Sequence, residues 1–200
     1  MEVRGIIHDL NNALTTVLGH AEWLLSLEPE GSPRHREADA IRAAAENAAR
    51  LTRDLREWVR AGAPAPPARA NVPLAPMEPP RLPHAGRRLL LVDDQPEVRD
   101  SLAEMLRLLG HDVTTAANGR EGLQRLVERP IDLILTDFSM PDMDGLALAM
   151  QAGRLRPGVP VLLLTGWGHE IEGRPEAICG VLPKPVTLRD LRNAVERAAA

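Results

Sequence analysis

The stretch Ile131-Asp132-Leu133-Ile134-Leu135-Thr136-Asp137-Phe138-Ser139-Met140-Pro141-Asp142-Met143-Asp144-Gly145 opens as a short apolar run and stops abruptly on Asp137. Entered through Arg129-Pro130, the run has the pattern of a strand buried on both faces of a parallel sheet. In open α/β sheets the loops at the carboxyl ends of the strands form the ligand site. Asp137 therefore stands where a rigid strand can present a carboxylate as a nucleophile or a metal ligand. A strand-end aspartate can equally cap the next helix or face water, so the neighbouring segments have to decide.

On either side of this stretch the chain alternates between apolar runs and helical patterns. Arg88 to Val92 predicts a strand ending in Asp93-Asp94, and Pro96 sits in the first turn of a helix running to about Leu109. Val113 to Ala116 predicts a second strand, and Asn118-Gly119 leads into a helix over 120–129. After the Asp137 strand comes a helix over 145–156, stopped by Pro157-Gly158. Val161 to Leu164 runs to Thr165-Gly166, and Gly180 to Leu182 runs to Pro183-Lys184-Pro185. Thr187 caps a last helix. Alternation of this kind implies a doubly wound, five-stranded parallel sheet of the flavodoxin-like type, covered on both faces, over 87–200.

Asp93, Asp94, Asp137, Thr165 and Lys184 all fall at carboxyl ends of predicted strands. Three carboxylates at one mouth repel one another unless a cation joins them, and oxygen-only ligands suit Mg²⁺. A hydroxyl and an ammonium beside them can bind the oxygens of a transferring phosphoryl group. Lys184 is the only lysine among 24 basic residues. A chain that uses arginine everywhere else places its one compact ammonium at this mouth.

Residues 1–61 read differently. Val3, Ile7, Leu10, Leu14, Val17, Ala21 and Leu24 recur at spacings of four and three, widened by Ile6, Ala13 and Leu27. Pro29, Gly31 and Pro33 interrupt the pattern. A second helix over 34–60 carries Ile41, Ala45, Ala48, Thr52, Leu55 and Val59, with Ala44, Leu51 and Trp58 alongside. Two antiparallel helices on a short loop form a hairpin that cannot hide both stripes alone. Two copies packed as a four-helix bundle can, which predicts a homodimer through 1–61. His8 lies beside the seam and is expected partly exposed on the bundle side. Asp9 follows it, and Asn12 lies one turn on along the same face. An imidazole beside a carboxylate can be an activated nucleophile or an ordinary surface histidine.

Gly62 to Gly86 contains eight prolines (64, 66, 67, 73, 76, 79, 80 and 83) and no periodicity, the composition of an extended tether. In polyproline geometry it reaches roughly 75 Å. It serves either as a plain spacer or as a leash that lets the C-terminal domain meet His8.

Other properties set limits. The net charge is −4 with signs interspersed, and no basic stripe points to nucleic acid. There is no run long enough to span a bilayer and no secretory signal, so no membrane partner and a cytoplasmic protein are expected. A single cysteine, Cys179, excludes an internal disulfide framework. Tyrosine is absent and Phe138 is the only phenylalanine, so the cores must be aliphatic.

Two resemblances add to this reading. Asp93-Asp94, Asp137 with Met140-Pro141-Asp142-Met143-Asp144-Gly145, Thr165-Gly166 and Lys184-Pro185 together resemble the receiver domain of two-component response regulators over 87–200. The resemblance implies that Asp137 is the phosphoacceptor. It implies that Asp94, Asp137 and the Ser139 carbonyl bind Mg²⁺, with Asp93 acting through water, and that Thr165 and Lys184 contact the phosphoryl oxygens. Gly5 to Thr15, with Gly19, Ala21 and Glu22, resembles the H-box of the dimerisation and histidine phosphotransfer domain of sensor kinases. There His8 matches the phosphorylated histidine, Asp9 the assisting acid, and Asn12 the residue that orients water for dephosphorylation of a partner. Nothing matches the ATP-binding domain of such kinases, so autophosphorylation is not expected; nor is a sensor or output domain.

The expected function is therefore a Mg²⁺-dependent phosphorelay between His8 and Asp137, or with histidine kinases and receivers in trans. The alternatives are a dimeric regulator whose hairpin only dimerises, and a phosphate sink or phosphatase. Two departures from the receiver pattern stand out. Val181 occupies the position of the usual aromatic switch residue, and His169 to Cys179 predicts a stunted fourth helix. Trp167 is either a shield for the site or a packing residue.

Overall fold

The computed structural model describes residues 3–61, 86–166 and 175–198. Two helices, α1 (Val3–Leu27) and α2 (Pro33–Ala61), form the hairpin. The break between them has local causes. Gly31 adopts φ 79°, a left-handed conformation that suits glycine, and the Ser32 hydroxyl accepts the His35 amide at 3.0 Å. Pro33 then fills the first helical position, where a missing N–H costs nothing.

Strands β1 (Arg88–Val92), β2 (Asp112–Ala116), β3 (Leu133–Asp137), β4 (Val161–Thr165) and β5 (Ile178–Pro183) alternate with helices α3 (Pro96–Leu108), α4 (Gly119–Glu128), α5 (Gly145–Leu155) and α6 (Leu188–Arg197). All pairings are parallel, in the order β2-β1-β3-β4-β5. The order reverses beside β1, so the loops after β1 and β3 flank a crevice at the carboxyl edge.

Successive side chains of a strand point to opposite faces, and each central strand supplies two cores. Leu89, Leu91, Leu133, Leu135, Leu162 and Leu164 pack with Val98, Leu102, Leu106 and Leu191 on the α3/α6 face. Leu90, Val92, Ile134, Val161 and Leu163 pack with Leu126, Leu148 and Ala152 on the α4/α5 face. Every residue of β3 is buried, which fixes Asp137 at the end of a rod with no freedom to shift register. Thr187 and Asp190 form a reciprocal capping box at the start of α6, and Asn118 and Asp144 cap α4 and α5.

The predicted seam of α1 divides in two. Ile7, Leu14, Leu18 and Ala21 are buried, whereas Ile6, Leu10, Val17, Leu24 and Leu27 are between 38% and 60% exposed. On α2, Ala38, Ala45, Ala49 and Thr52 are buried while Ile41, Leu51 and Leu55 stay exposed. The hairpin interior is thus narrower than the stripe expected, because small alanines let the helices approach closely. The leftover apolar residues form a second, outward stripe. The side chains of Val3, Trp58 and Val59, the tether over 62–85, and Trp167 with 168–174 lie outside the described residues. The end of the segment where a stunted helix was expected is described: Glu176 and Ala177 form a turn, and Ile178 and Cys179 already belong to β5.

The candidate site, a phosphoacceptor mouth with a helix across its rim

Asp93 follows β1, Asp137 ends β3 and Lys184 follows β5, and the sheet brings the three together. The Lys184 ammonium lies 2.9 Å from Asp93 Oδ2 and 2.8 Å from Asp137 Oδ1. All three side chains are almost completely buried. The remaining carboxylate oxygens are held by backbone: Gln95 N–H donates to Asp93 Oδ1 at 2.9 Å, and Ser139 N–H to Asp137 Oδ2 at 3.2 Å. Thr165 is buried at the end of β4, and its carbonyl accepts the Lys184 amide at 2.7 Å. Asp94 stands half-buried beside Asp93, outside the ion-paired cluster. Gly145 explains its place in the motif: a Cβ there would run into the Asp137 carbonyl oxygen. Only glycine lets the first turn of α5 close on the end of β3, where Gly145 N–H donates to the Phe138 carbonyl at 3.0 Å.

Burial, together with the neighbouring Asp137 charge, pushes the Asp93 carboxyl up from its ordinary value against the pull of Lys184. Burial also works against the Lys184 ammonium, but the two carboxylates outweigh it and hold Lys184 above the usual lysine value. The donors here are all hard oxygens, the chemistry that suits Mg²⁺, an ion that keeps several waters and takes only one or two carboxylates. Among the described residues no three His, Cys, Asp or Glu side chains are arranged to hold a metal by themselves. Lys184 takes the position between Asp93 and Asp137.

The rim of this mouth carries an element that no local pattern announces. Helix α1 lies across it, against α3. Asn12 Nδ2 donates to Gln95 Oε1 at 2.8 Å, and Asn11 Nδ2 to the Gly166 carbonyl at 3.3 Å. Val186 N–H donates to Thr15 Oγ1 at 3.4 Å, and Ser101 Oγ to the Thr16 carbonyl at 3.4 Å. His8 is not turned to the bundle side as expected. Its ring edge lies 3.4 Å from the Cβ position of Gly166, the residue after Thr165, and its side chain is 22% exposed. Asp9 Oδ1 is 3.4 Å from His8 Nδ1, and Asn12 Nδ2 is 3.4 and 3.5 Å from the two ring nitrogens. The predicted trio of His8, Asp9 and Asn12 therefore gathers at the same edge as Asp93, Asp137, Thr165 and Lys184.

Sequence reasoning missed Gln95, Ser101 and Val186 as partners of α1. Their contacts span 83 to 171 residues of sequence, and no spacing rule reaches that far. The interface is polar and imperfectly satisfied. Among the described residues the buried side-chain oxygens of Asn11 and Asn12 find no hydrogen-bond donor, which costs about 1–3 kcal/mol for each such group.

With this geometry in hand, comparison with known proteins gives the family. Residues 89–196 match the response regulator receiver domain. The chain belongs to that family. The receiver is 36% identical over 115 residues to the response regulator receiver protein CpdR of Brucella abortus, covering 56% of this chain and 95% of that protein. It is 35% identical over 118 residues to the transcriptional regulatory protein GlrR of Escherichia coli, of which it spans only 27%. Among solved structures it superposes with a TM-score of 0.53 on the response regulator TrrA of Thermotoga maritima, solved with Mg(2+)-BeF. That match is 29% identical and covers 56% of this chain and 98% of TrrA. TrrA in complex with the histidine kinase ThkA matches equally, at 29% identity and TM-score 0.53 over 57% of this chain and 99% of that one. A receiver of a two-component system accepts a phosphoryl group on an aspartate, and receivers interact with histidine kinases. No helix among the described residues is long and apolar enough to cross a membrane.

Proposed function

We propose that this protein is a phosphorelay component in which Asp137 is the phosphoacceptor and His8, on the hairpin of the same chain, is its phosphoryl partner. The observation that carries the reading is the position of the His8 ring against Gly166, one residue beyond Thr165, at the mouth containing Asp137. In the transfer from His8, an Asp137 carboxylate oxygen attacks phosphorus, the P–N bond breaks, and its electron pair returns to the imidazole. A P–O bond to Asp137 forms, and the reverse step restores phosphohistidine. Asp9 beside His8 Nδ1 favours one tautomer and leaves the other ring nitrogen for phosphorus. Lys184 neutralises the charge gathered at Asp137, and the Thr165 hydroxyl, at the end of β4, would meet a phosphoryl oxygen. Asp94, Asp137 and the Ser139 carbonyl would hold Mg²⁺, with Asp93 assisting through water; the ion would supply charge neutralisation for the incoming phosphoryl group.

The outward stripe fits a second copy. Ile6, Leu10, Ala13, Val17, Leu24 and Leu27 follow a four-three spacing, as do Ile41, Ala44, Ala48, Leu51 and Leu55 on α2. Two hairpins joined on these faces make a four-helix bundle, with the receivers on its outside.

Labelling tests the relay. The protein and its His8→Gln and Asp137→Asn variants are incubated with Mg²⁺ and either phosphoramidate or acetyl phosphate. Acid-labile, base-stable phosphate on His8 that moves to Asp137 is the expected result. Label on Asp137 alone removes His8 from the mechanism and favours a hairpin that only dimerises. Phosphate release that depends on Asn12 favours the phosphatase reading.

A further inference from the structure

The contacts of α1 with the receiver come from residues 8, 11, 12, 15, 16 and 19, one face of the helix over three turns. This face is distinct from the outward apolar stripe. It lies on Gln95, Ser101, Gly166 and Val186, which border the Asp93–Lys184–Asp137 cluster from three different loops or helices. A donor histidine on any other protein would have to bring its own helix over the same residues to reach Asp137.

We propose that the hairpin is a built-in occupant of the receiver's docking face, which reserves Asp137 for its own chain and shuts out histidine-bearing hairpins of other proteins. The argument is one of effective concentration. A segment tethered through 62–86 meets its partner at a roughly millimolar effective concentration. A foreign hairpin at micromolar concentration and equal affinity loses by about a thousandfold. The polar, half-satisfied interface needs no great strength, because the tether supplies the advantage.

Gly19 is the register key. A Cβ there would stand 2.7 Å from Ser101 Cβ and 3.2 Å from Ser101 Cα, so only glycine lets α1 lie this close to α3. A groove of about 220 Å³ between Trp23 and Glu104 borders this contact of Gly19 with Ser101. Neither residue touches the reacting groups, so the docking can be broken without altering the chemistry.

The test uses the full chain. In hydrogen exchange the reporter is the Val186 amide, a loop N–H that donates to Thr15 Oγ1 on α1. Gly19→Leu should speed its exchange at least tenfold while β3 amides stay protected. Gly19→Ala combined with Ser101→Gly, which makes room for the added methyl, should return it towards the starting rate. For exclusion, an Asp137→Asn chain labelled on His8 with phosphoramidate serves as the foreign donor, and His8→Gln chains with and without Gly19→Leu serve as acceptors. Transfer to the Gly19→Leu acceptor should be at least tenfold faster. Unchanged Val186 exchange overturns the docking, and equal transfer to the two acceptors overturns the exclusion. Failure to label His8 instead refutes the relay reading; docking is then judged by exchange, and exclusion by whether Gly19→Leu accelerates Asp137 labelling by acetyl phosphate.

Discussion

Replacing Lys184 with methionine isolates the electrostatics of the mouth. The variant keeps the length and the apolar stem but removes the charge that joins Asp93 to Asp137. The two carboxylate oxygens, held 2.9 and 2.8 Å from one nitrogen, lie within about 6 Å of each other. At an effective dielectric of ~20, two unit charges at that separation repel by about 3 kcal/mol. Breaking a buried ion pair by deleting one partner costs about 3–5 kcal/mol in general, so both routes give the same scale. In the wild type the raised Lys184 value means that its stabilisation is fully present below the ordinary lysine pKa of ~10.4 and is lost only as pH rises through the folded value. At pH 8 its contribution is intact, and Lys184→Met should lose about 3–5 kcal/mol in urea denaturation followed by circular dichroism. The loss should shrink at pH 5. Asp93 is already raised, and without Lys184 it rises further, so the folded variant takes up a proton as pH falls and repulsion disappears. Added Mg²⁺ at pH 8 should stabilise the variant more than the wild type, since it replaces the missing positive charge. A loss of equal size at pH 5 and pH 8, indifferent to Mg²⁺, would show that the lysine stem matters by packing and would refute the charge argument.

Asp132, at the opposite end of the sheet, accepts from the Arg88 guanidinium and amide, which hold its carboxyl down at about 2. A depressed carboxyl stabilises above its unfolded value near 3.8 and loses that effect as pH falls towards 2. The pair is largely solvated, so Asp132→Asn should cost only about 1 kcal/mol at pH 7 and less than half of that at pH 2, read by denaturation at both pH values. Gly145→Ala forces α5 off the end of β3, so it should destabilise by about 1–3 kcal/mol and slow Asp137 labelling by acetyl phosphate. Thr187→Ala removes the side-chain half of the α6 capping box, the bond from the Asp190 amide to the Thr187 hydroxyl, and should cost about 1 kcal/mol in the same denaturation assay. Val17→Glu with Leu24→Glu puts charge in the outward stripe; sedimentation should report a dimer for the wild type and a monomer for the variant, with acetyl phosphate labelling unchanged.

The receiver was legible because its signals are local. A buried strand, a turn residue and a strand-end carboxylate sit next to each other in sequence, and the alternation of Leu89 to Val92 between the two cores follows from strand geometry alone. The cluster of Asp93, Asp137 and Lys184 was legible for a related reason: a parallel sheet brings all its carboxyl ends to one edge, whatever the length of the connections. The place of the lysine was not legible. Three acidic positions suggest a cation, but only the fold puts Lys184 between two of them.

Helix α1 shows where reading by periodicity stops. A helix has room for three faces, and apolar spacing reports only those covered by apolar neighbours. One face of α1 closes the hairpin and another is the outward stripe; in sequence the two overlap and look like a single broad seam. The third face consists of His8, Asn11, Asn12, Thr15, Thr16 and Gly19, which by hydropathy alone would be assigned to solvent. Yet Asn11, Asn12 and Thr15 are among the most deeply buried residues of the helix. Polar side chains accept such burial when the surface they meet is itself polar backbone, as the Gly166 carbonyl and Val186 amide are. Two adjacent asparagines on an otherwise amphipathic helix, with a glycine two turns later, are therefore better read as a face made for another backbone than as a solvated one. The same reasoning connects the two halves of the chain: the face that carries His8 is polar because the mouth it meets is polar.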